Sequence, residues 1–459
     1  MKRYRYLLPL VASALATQSC QQSAPKTATA DSNMVKLITV DPGHFHSALV
    51  QKSMSAGIDS VVHVYAPEGK ELEAHLALIK QYNERAESPT SWSEQVYKGA
   101  DYFEKMLADK PGNVVVLAGN NKRKTDYISK SIEAGLNVLS DKPMVITPAA
   151  FPQLEAAFKT AADKKVLLYD IMTERSEISN MLQKELMQQP TVFGELQKGS
   201  QDAPAVLIES VHFYFKNVSG KTLVRPSWFF DAGQQGDAIA DVGVHLIDLA
   251  QWACFPETAI DHTKDINVVA ARNWPTPLTK SQFTSITQQS EFPDFLQPLV
   301  KDSVLNARGN GEVTYSLKGV FVKVIARWEY KAEEGGDTHY ALVKGSLSSL
   351  EIKQGKEENF KPTLYIRPAK NDTAFATALT QVVTQLNTKY PGVAVEKIAT
   401  GYKVNIPEKY KDGHEAHFSQ VLQRFLGYLN TGLPAWEVPC MLSKYYTSTA
   451  ALKLADAQK

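Results

Sequence analysis

Short apolar runs alternate with helical patterns through the first third of the chain. Residues 36–40 form one strand-like run, 59–65 a second rich in valine, and 114–118 a third with no polar interruption. An uninterrupted run is the pattern of a strand covered on both faces. Between these runs, residues 45–56 read as a helix closed by Gly57, and Leu72, His75, Leu76 and Ile79 mark one face of a helix over 71–81. Residues 124–133 read as a helix stopped by Gly135. A strand over 137–140, a helix over 148–162 and a strand over 165–169 complete the series. Strands alternating with helices predict βαβ units, hence an α/β domain with a parallel sheet over 34–171.

The pattern changes after Ile171. Residues 206–215, 319–330, 340–352 and 363–367 are β-rich, and helical periodicity becomes sparse. It returns near the end, where Phe418, Val421, Leu422, Phe425, Leu426 and Leu429 share a face before Gly432 and Pro434. Residues 172–459 therefore read as an α+β domain with a large, mainly antiparallel open sheet. A length of 459 residues suits two or three domains.

Composition narrows the function class. Apolar residues make up 44% of the chain and charged residues 22%, ordinary values for a globular protein. A net charge of +1 and the lack of a basic stripe argue against a nucleic-acid partner. Lys2, Arg3 and Arg5, a short apolar run over 7–16 and then Cys20 have the plan of a secretory signal. Cys20 stands where a bacterial lipoprotein is lipidated; a simple cleaved signal is the alternative. Residues 1–33 are thus expected to be a leader and flexible tether, and the protein to sit in the cell envelope, periplasm-facing or membrane-anchored by lipid alone. Cys254 and Cys440 remain, either as buried free thiols or as a disulfide.

Three segments carry candidate chemistry. The first βα turn is Asp41-Pro42-Gly43-His44-Phe45-His46, where a dinucleotide fold places Gly-x-Gly-x-x-Gly. Only Gly43 is kept. Backbone at Gly43, His44 and Phe45 would approach the phosphates, and Glu68, after the second strand, the ribose hydroxyls. Asp141-Lys142-Pro143 follows a strand, where a lysine can polarise a hydroxyl or carbonyl. Asp241 and His245 are four residues apart, so on one helix they share a face. Histidine suits a base for a hydroxyl proton, with the carboxylate orienting it. A helix-capping Asp241 and a core His245 are the plainer alternatives. His44 and His46, and likewise His414 and His417, offer paired imidazoles. No further ligand accompanies either pair in the sequence, so no metal site is expected.

Residues 137–143, with Gly135 and Val138 ahead of Asp141-Lys142-Pro143, and Asp241-x-Gly-x-His245-x-x-Asp248 together resemble the glucose-fructose oxidoreductase / inositol dehydrogenase / MocA family. Asp141 stands where that family has Glu. The resemblance implies an N-terminal Rossmann domain, NAD or NADP as cofactor, and Lys142, Asp241 and His245 as the catalytic set. It places Asn120 and Asn121 beside the nicotinamide, and Arg175, Trp228 and His245 beside a saccharide or polyol substrate. The C-terminal stretch is similar to envelope-associated members of Bacteroidetes type, and pairing into a homo-oligomer is common in the family. The implied activity is hydride transfer between a tightly bound nicotinamide and a sugar or polyol hydroxyl. Redox-neutral glycoside cleavage through transient oxidation, and a cofactor-free sugar-binding lipoprotein, are the alternatives.

Overall fold

The computed structural model describes residues 34–218 and 221–458; Cys20 and the rest of the leader lie outside the described residues. The first region is built on β1 (Leu37–Val40), β2 (Val61–Ala66), β3 (Ser93–Lys98), β4 (Val114–Leu117), β5 (Asn137–Asp141) and β6 (Leu168–Ile171). They form a parallel sheet in the order β3-β2-β1-β4-β5-β6. Every residue of β1, β4 and β6 is buried, which is why their sequences lack alternation. β3 escapes a hydrophobicity reading. It is an edge strand of mainly polar residues, Ser-Glu-Gln-Val-Tyr-Lys, none of them fully buried.

The connecting helices are α1 (His46–Leu49), α2 (Lys70–Glu84), α3 (Tyr102–Asp109), α4 (Lys124–Glu133) and α5 (Phe151–Lys164). α1 corrects the helix expected over 45–56. Its continuation is stopped because carbonyls that a longer helix would use are taken by side chains. Trp92 Nε1 donates to the Gln51 carbonyl at 2.6 Å, and Arg85 to that of Lys52 at 2.6 Å.

The second region is richer in helix than its pattern predicts. α6 (Ile178–Met187) precedes the strand β7 (Val206–Phe215), and α7 (Ala238–Asp241) and α8 (Gly243–Cys254) follow it. A further helix spans Thr373–Lys389. β7 lies inside a large sheet, parallel to Val320–Lys331 on one side and antiparallel to Thr338–Lys344 on the other. The remaining pairings are antiparallel, including the long hairpin-like pair Ile266–Thr279 and Val304–Leu317. α6 and α8 cover the face of this sheet that carries Val206 and Ile208.

The chain then returns. Helices His414–Thr431 and Glu437–Asp456 bring Phe418, Val421, Phe425, Met441 and Tyr445 into the apolar core of the parallel sheet, beside Leu139 and Tyr169. Ile171 thus divides two sheets, each with its own apolar core, while the C-terminal helices return to the first core within one compact unit, Val35–Lys459. Cys254 and Cys440 are free thiols. Among the described residues, no helix is long and apolar enough to cross a membrane.

Candidate functional site

The strand order puts β1 and β4 side by side at the point where the winding of the sheet reverses. Ligands of open α/β sheets bind in the crevice outside the carboxyl ends of strands at such a point. A cavity of about 280 Å³ opens there, lined by Asp41, Gly43, Glu68, Asn120, Arg123 and Trp228 among others. Gly43 lies close under the cavity wall: a Cβ there would touch Trp228 at 3.4 Å and the Asn120 amide nitrogen at 3.5 Å, ordinary contact distances. Gly119, which the sequence reading missed, is tighter still. A Cβ there would fall 2.0 Å from the Asp41 carbonyl oxygen.

The turn manages without its outer glycines in two ways. Asp41 sits at φ 48°, a left-handed conformation that aspartate tolerates better than most residues. Its carboxylate is buried, which raises its pKa, and it accepts hydrogen bonds from the Tyr102 and Tyr127 hydroxyls, each at 3.4 Å. His46 opens α1 and turns its ring away from the cavity to Asp141, Nδ1 to Oδ2, at 2.9 Å. The crevice fits a dinucleotide: Gly43 leaves the backbone approachable, Glu68 offers a carboxylate for ribose, and Arg123 a cation for phosphate.

Lys142 and Asp241 meet beyond this cavity. Lys142 Nζ donates to Asp241 Oδ1 at 2.6 Å and to the Asp241 carbonyl at 3.1 Å. Burial would raise the Asp241 pKa, but the Lys142 ammonium outweighs it and holds the carboxyl below its usual value. The single helix expected to carry Asp241 and His245 is two. α7 ends at Asp241, Val242 intervenes, and His245 belongs to α8. Asp237, not Asp241, caps α7, accepting from the Ile239 amide at 2.9 Å. Asp241 accordingly binds Lys142, and His245 Nδ1 is a buried atom with no hydrogen-bond partner. Burial, followed by the Lys142 charge, holds the imidazole well below its ordinary pKa.

The other predicted residues divide. Gly43, Glu68, Asn120 and Trp228 line the cavity, and Trp228 stands on its wall over the turn. Asn121 is buried, and its amide donates to the Gln235 carbonyl at 2.7 Å. It ties the loop after β4 to the approach to α7 and turns no donor to the crevice. Arg175 is likewise committed elsewhere. Its guanidinium grips Asp248 at 2.6 and 2.7 Å and reaches Glu437 at 3.2 Å, all buried. His44 and Phe45 stack on each other at 4.7 Å between ring centroids. The reading that no ligands accompany His44 and His46 is also corrected. Asp141 lies against them, and the His414 ring is 5.4 Å from that of His46. Asp141 is ninety-five residues along the chain from His46, so no local motif marks the group.

Comparison with known proteins agrees with this architecture. Residues 60–169 match the family described as "Oxidoreductase family, NAD-binding Rossmann fold", and residues 182–456 that described as "Putative oxidoreductase C terminal domain". The first match begins after the turn whose glycines are replaced. A crystal structure described as an oxidoreductase from Parabacteroides merdae is 50% identical, with TM-score 0.91, covering 93% of this chain and 98% of that one. At 13% identity the likeness is of fold alone. Levoglucosan dehydrogenase, solved with NADH and levoglucosan, gives TM-score 0.58 over 92% of this chain and 98% of its own. The WlbA dehydrogenase of Bordetella pertussis, solved with NADH and UDP-GlcNAcA, gives 0.55 over 94% and 98%. No curated protein matches the sequence. The chain belongs to the glucose-fructose oxidoreductase / inositol dehydrogenase / MocA family of NAD-binding oxidoreductases.

Proposed function

We propose that the protein oxidises a hydroxyl-bearing carbon of a sugar or polyol to a carbonyl, or runs the reverse reduction of that carbonyl, with Lys142, Asp241 and His245 acting on the reacting oxygen. The observation that carries this reading is the unpartnered, buried Nδ1 of His245 beside a Lys142–Asp241 pair closed at 2.6 Å. A buried imidazole without a partner costs stability, and its retention next to a fixed cation is the arrangement that proton abstraction needs. Its depressed pKa keeps it neutral and able to accept a proton at neutral pH. Lys142 stabilises the oxyanion that forms as the proton leaves. Asp241 fixes the ammonium in place. A bound nicotinamide supplies the hydride acceptor.

The dehydrogenases solved with NADH and a sugar or sugar nucleotide support the substrate class. The pattern ending at Cys20 supports an envelope lipoprotein, and free cofactor is scarce there, so we propose that the cofactor is held tightly through turnover. The test is to assay purified protein, with its cofactor content measured, against a panel of sugars, polyols and glycosides. Oxidised product that disappears in His245→Ala is expected. Liberated aglycone without reduced nicotinamide would move the reading to redox-neutral cleavage. Turnover indifferent to His245→Ala would overturn it.

A further inference from the structure

The turn after β1 and the end of β5 come together although they are far apart in sequence. His44 and His46 project from the turn, and Asp141 is the last residue of β5. One ligand atom from each lies within 4.8 Å of the other two. We propose that His44, His46 and Asp141 form a binding site for a divalent first-row transition cation such as zinc, manganese or iron.

The chemistry of the donors favours that class. Two imidazoles and one carboxylate suit such ions, whereas calcium and magnesium prefer oxygen shells. Metal bonds of roughly 2.0–2.2 Å set neighbouring ligands about 3–4 Å apart. The His46–Asp141 contact, at 2.9 Å, is already near that spacing, so a small inward movement of His44 completes a three-ligand set.

The surroundings hold the set in place. Lys124, buried, donates to the Asp141 carbonyl at 3.0 Å and so fixes the backbone of one ligand. The His46 ring is packed by Phe418 at 4.5 Å between centroids, and the His46 amide donates to His44 Nδ1 at 3.2 Å. The nearby Lys142 charge is met by the Asp241 carboxylate, which leaves Asp141 to supply the anionic ligand. Three protein ligands leave coordination positions open, as in sites where metals meet water or substrate oxygen. The inference does not depend on the proposed reaction.

The experiment uses untagged, purified full chain stripped with a chelator and then titrated separately with Zn²⁺ and Co²⁺. Calorimetry reads stoichiometry and affinity, and the visible spectrum of Co²⁺ reads its ligands. One equivalent is expected, with Co²⁺ bands of mixed nitrogen and oxygen coordination. His46→Gln and Asp141→Asn should each weaken binding by at least about 100-fold, more than loss of a group that merely supports a ligand. If either variant fails to melt cooperatively, His44→Ala decides, since that ring is only half-buried. Absence of stoichiometric binding, or wild-type affinity in His44→Ala, overturns the proposal. NADH binding is measured on the same samples, and its failure would count against the proposed function while leaving the cation result standing.

Discussion

Two buried clusters of charge meet at α8, and they are finished differently. In the first, Arg175, Asp170, Asp248, Glu437 and Lys444 leave little unmet. Arg175 grips Asp248 and Glu437, Lys444 reaches Asp170 and Asp248 at 2.8 Å each, and Tyr445 donates to Asp170 at 2.8 Å. In the second, Lys142 and Asp241 are paired, but His245 keeps an orphan nitrogen. The motif Asp241-x-Gly-x-His245-x-x-Asp248 feeds both clusters from the end of α7 and the first turns of α8. A satisfied network fixes the C-terminal helix against the parallel sheet. In the proposed reaction the unsatisfied one holds the group that takes a proton. Both contain the residue types that sequence reading associates with catalysis, and only the partner count separates them.

That contrast is broken most forcefully in the first cluster. Lys444→Met would leave Asp170 and Asp248 short of a cation in the interior. A loss of about 3–5 kcal/mol is expected, as for one partner removed from a buried pair. Chemical denaturation of the purified variant reads it. His245→Gln should do the opposite. Turnover should fall by about 10²–10⁴-fold, the usual share of a general base, while the denaturation midpoint stays close to wild type because Nδ1 has no bond to lose. A midpoint shift as large as that of Lys444→Met would place His245 among the structural residues.

Smaller effects sharpen the picture. Glu68→Gln should weaken cofactor binding by about tenfold, the cost of about one charge-assisted hydrogen bond to a ribose hydroxyl, read by the fluorescence of bound NADH. The pH dependence should carry two signs. Burial would raise the Asp248 pKa, but Arg175 and Lys444 outweigh it and hold the carboxyl well below its ordinary range. Its contribution to stability is therefore present above the ordinary carboxylate pKa and lost as pH falls below it. Burial pushes Asp237 up to about 6 against the helix-cap bonds it accepts. Its contribution is full below the ordinary aspartate pKa and lost as pH rises through about 6. Asp237→Asn should flatten the second slope and leave the acid limb unchanged.

Much of this was legible in the chain. The all-buried strands β1 and β4 announce themselves as apolar runs, and Lys142 and Asp241 are found together as their motifs imply. What was not legible depends on partners distant in sequence. Trp92 and Arg85 shorten α1 by taking its carbonyls. β3, polar and at an edge, has no apolar signature. Arg175 reads as a ligand contact until Asp248 and Glu437 are seen to enclose it. The helical spacing of Asp241 and His245 is present, but the break at Val242 puts them on two helices. Gly119 could have been found, since it directly follows the apolar run of β4. The meeting of His46 with Asp141 could not, because it arises only when β1, β4 and β5 align.

The central claim is that a nicotinamide in the β1–β4 crevice and the Lys142–Asp241–His245 group act on the same substrate carbon. Anaerobic mixing of cofactor-loaded protein with a substrate sugar or polyol tests it, following the near-ultraviolet band of reduced nicotinamide in a single turnover. The band should rise in the wild type and stay flat in His245→Ala, with cofactor content equal in both. An equal rise in the variant, or a wild-type protein that binds no nicotinamide at all, would contradict the account.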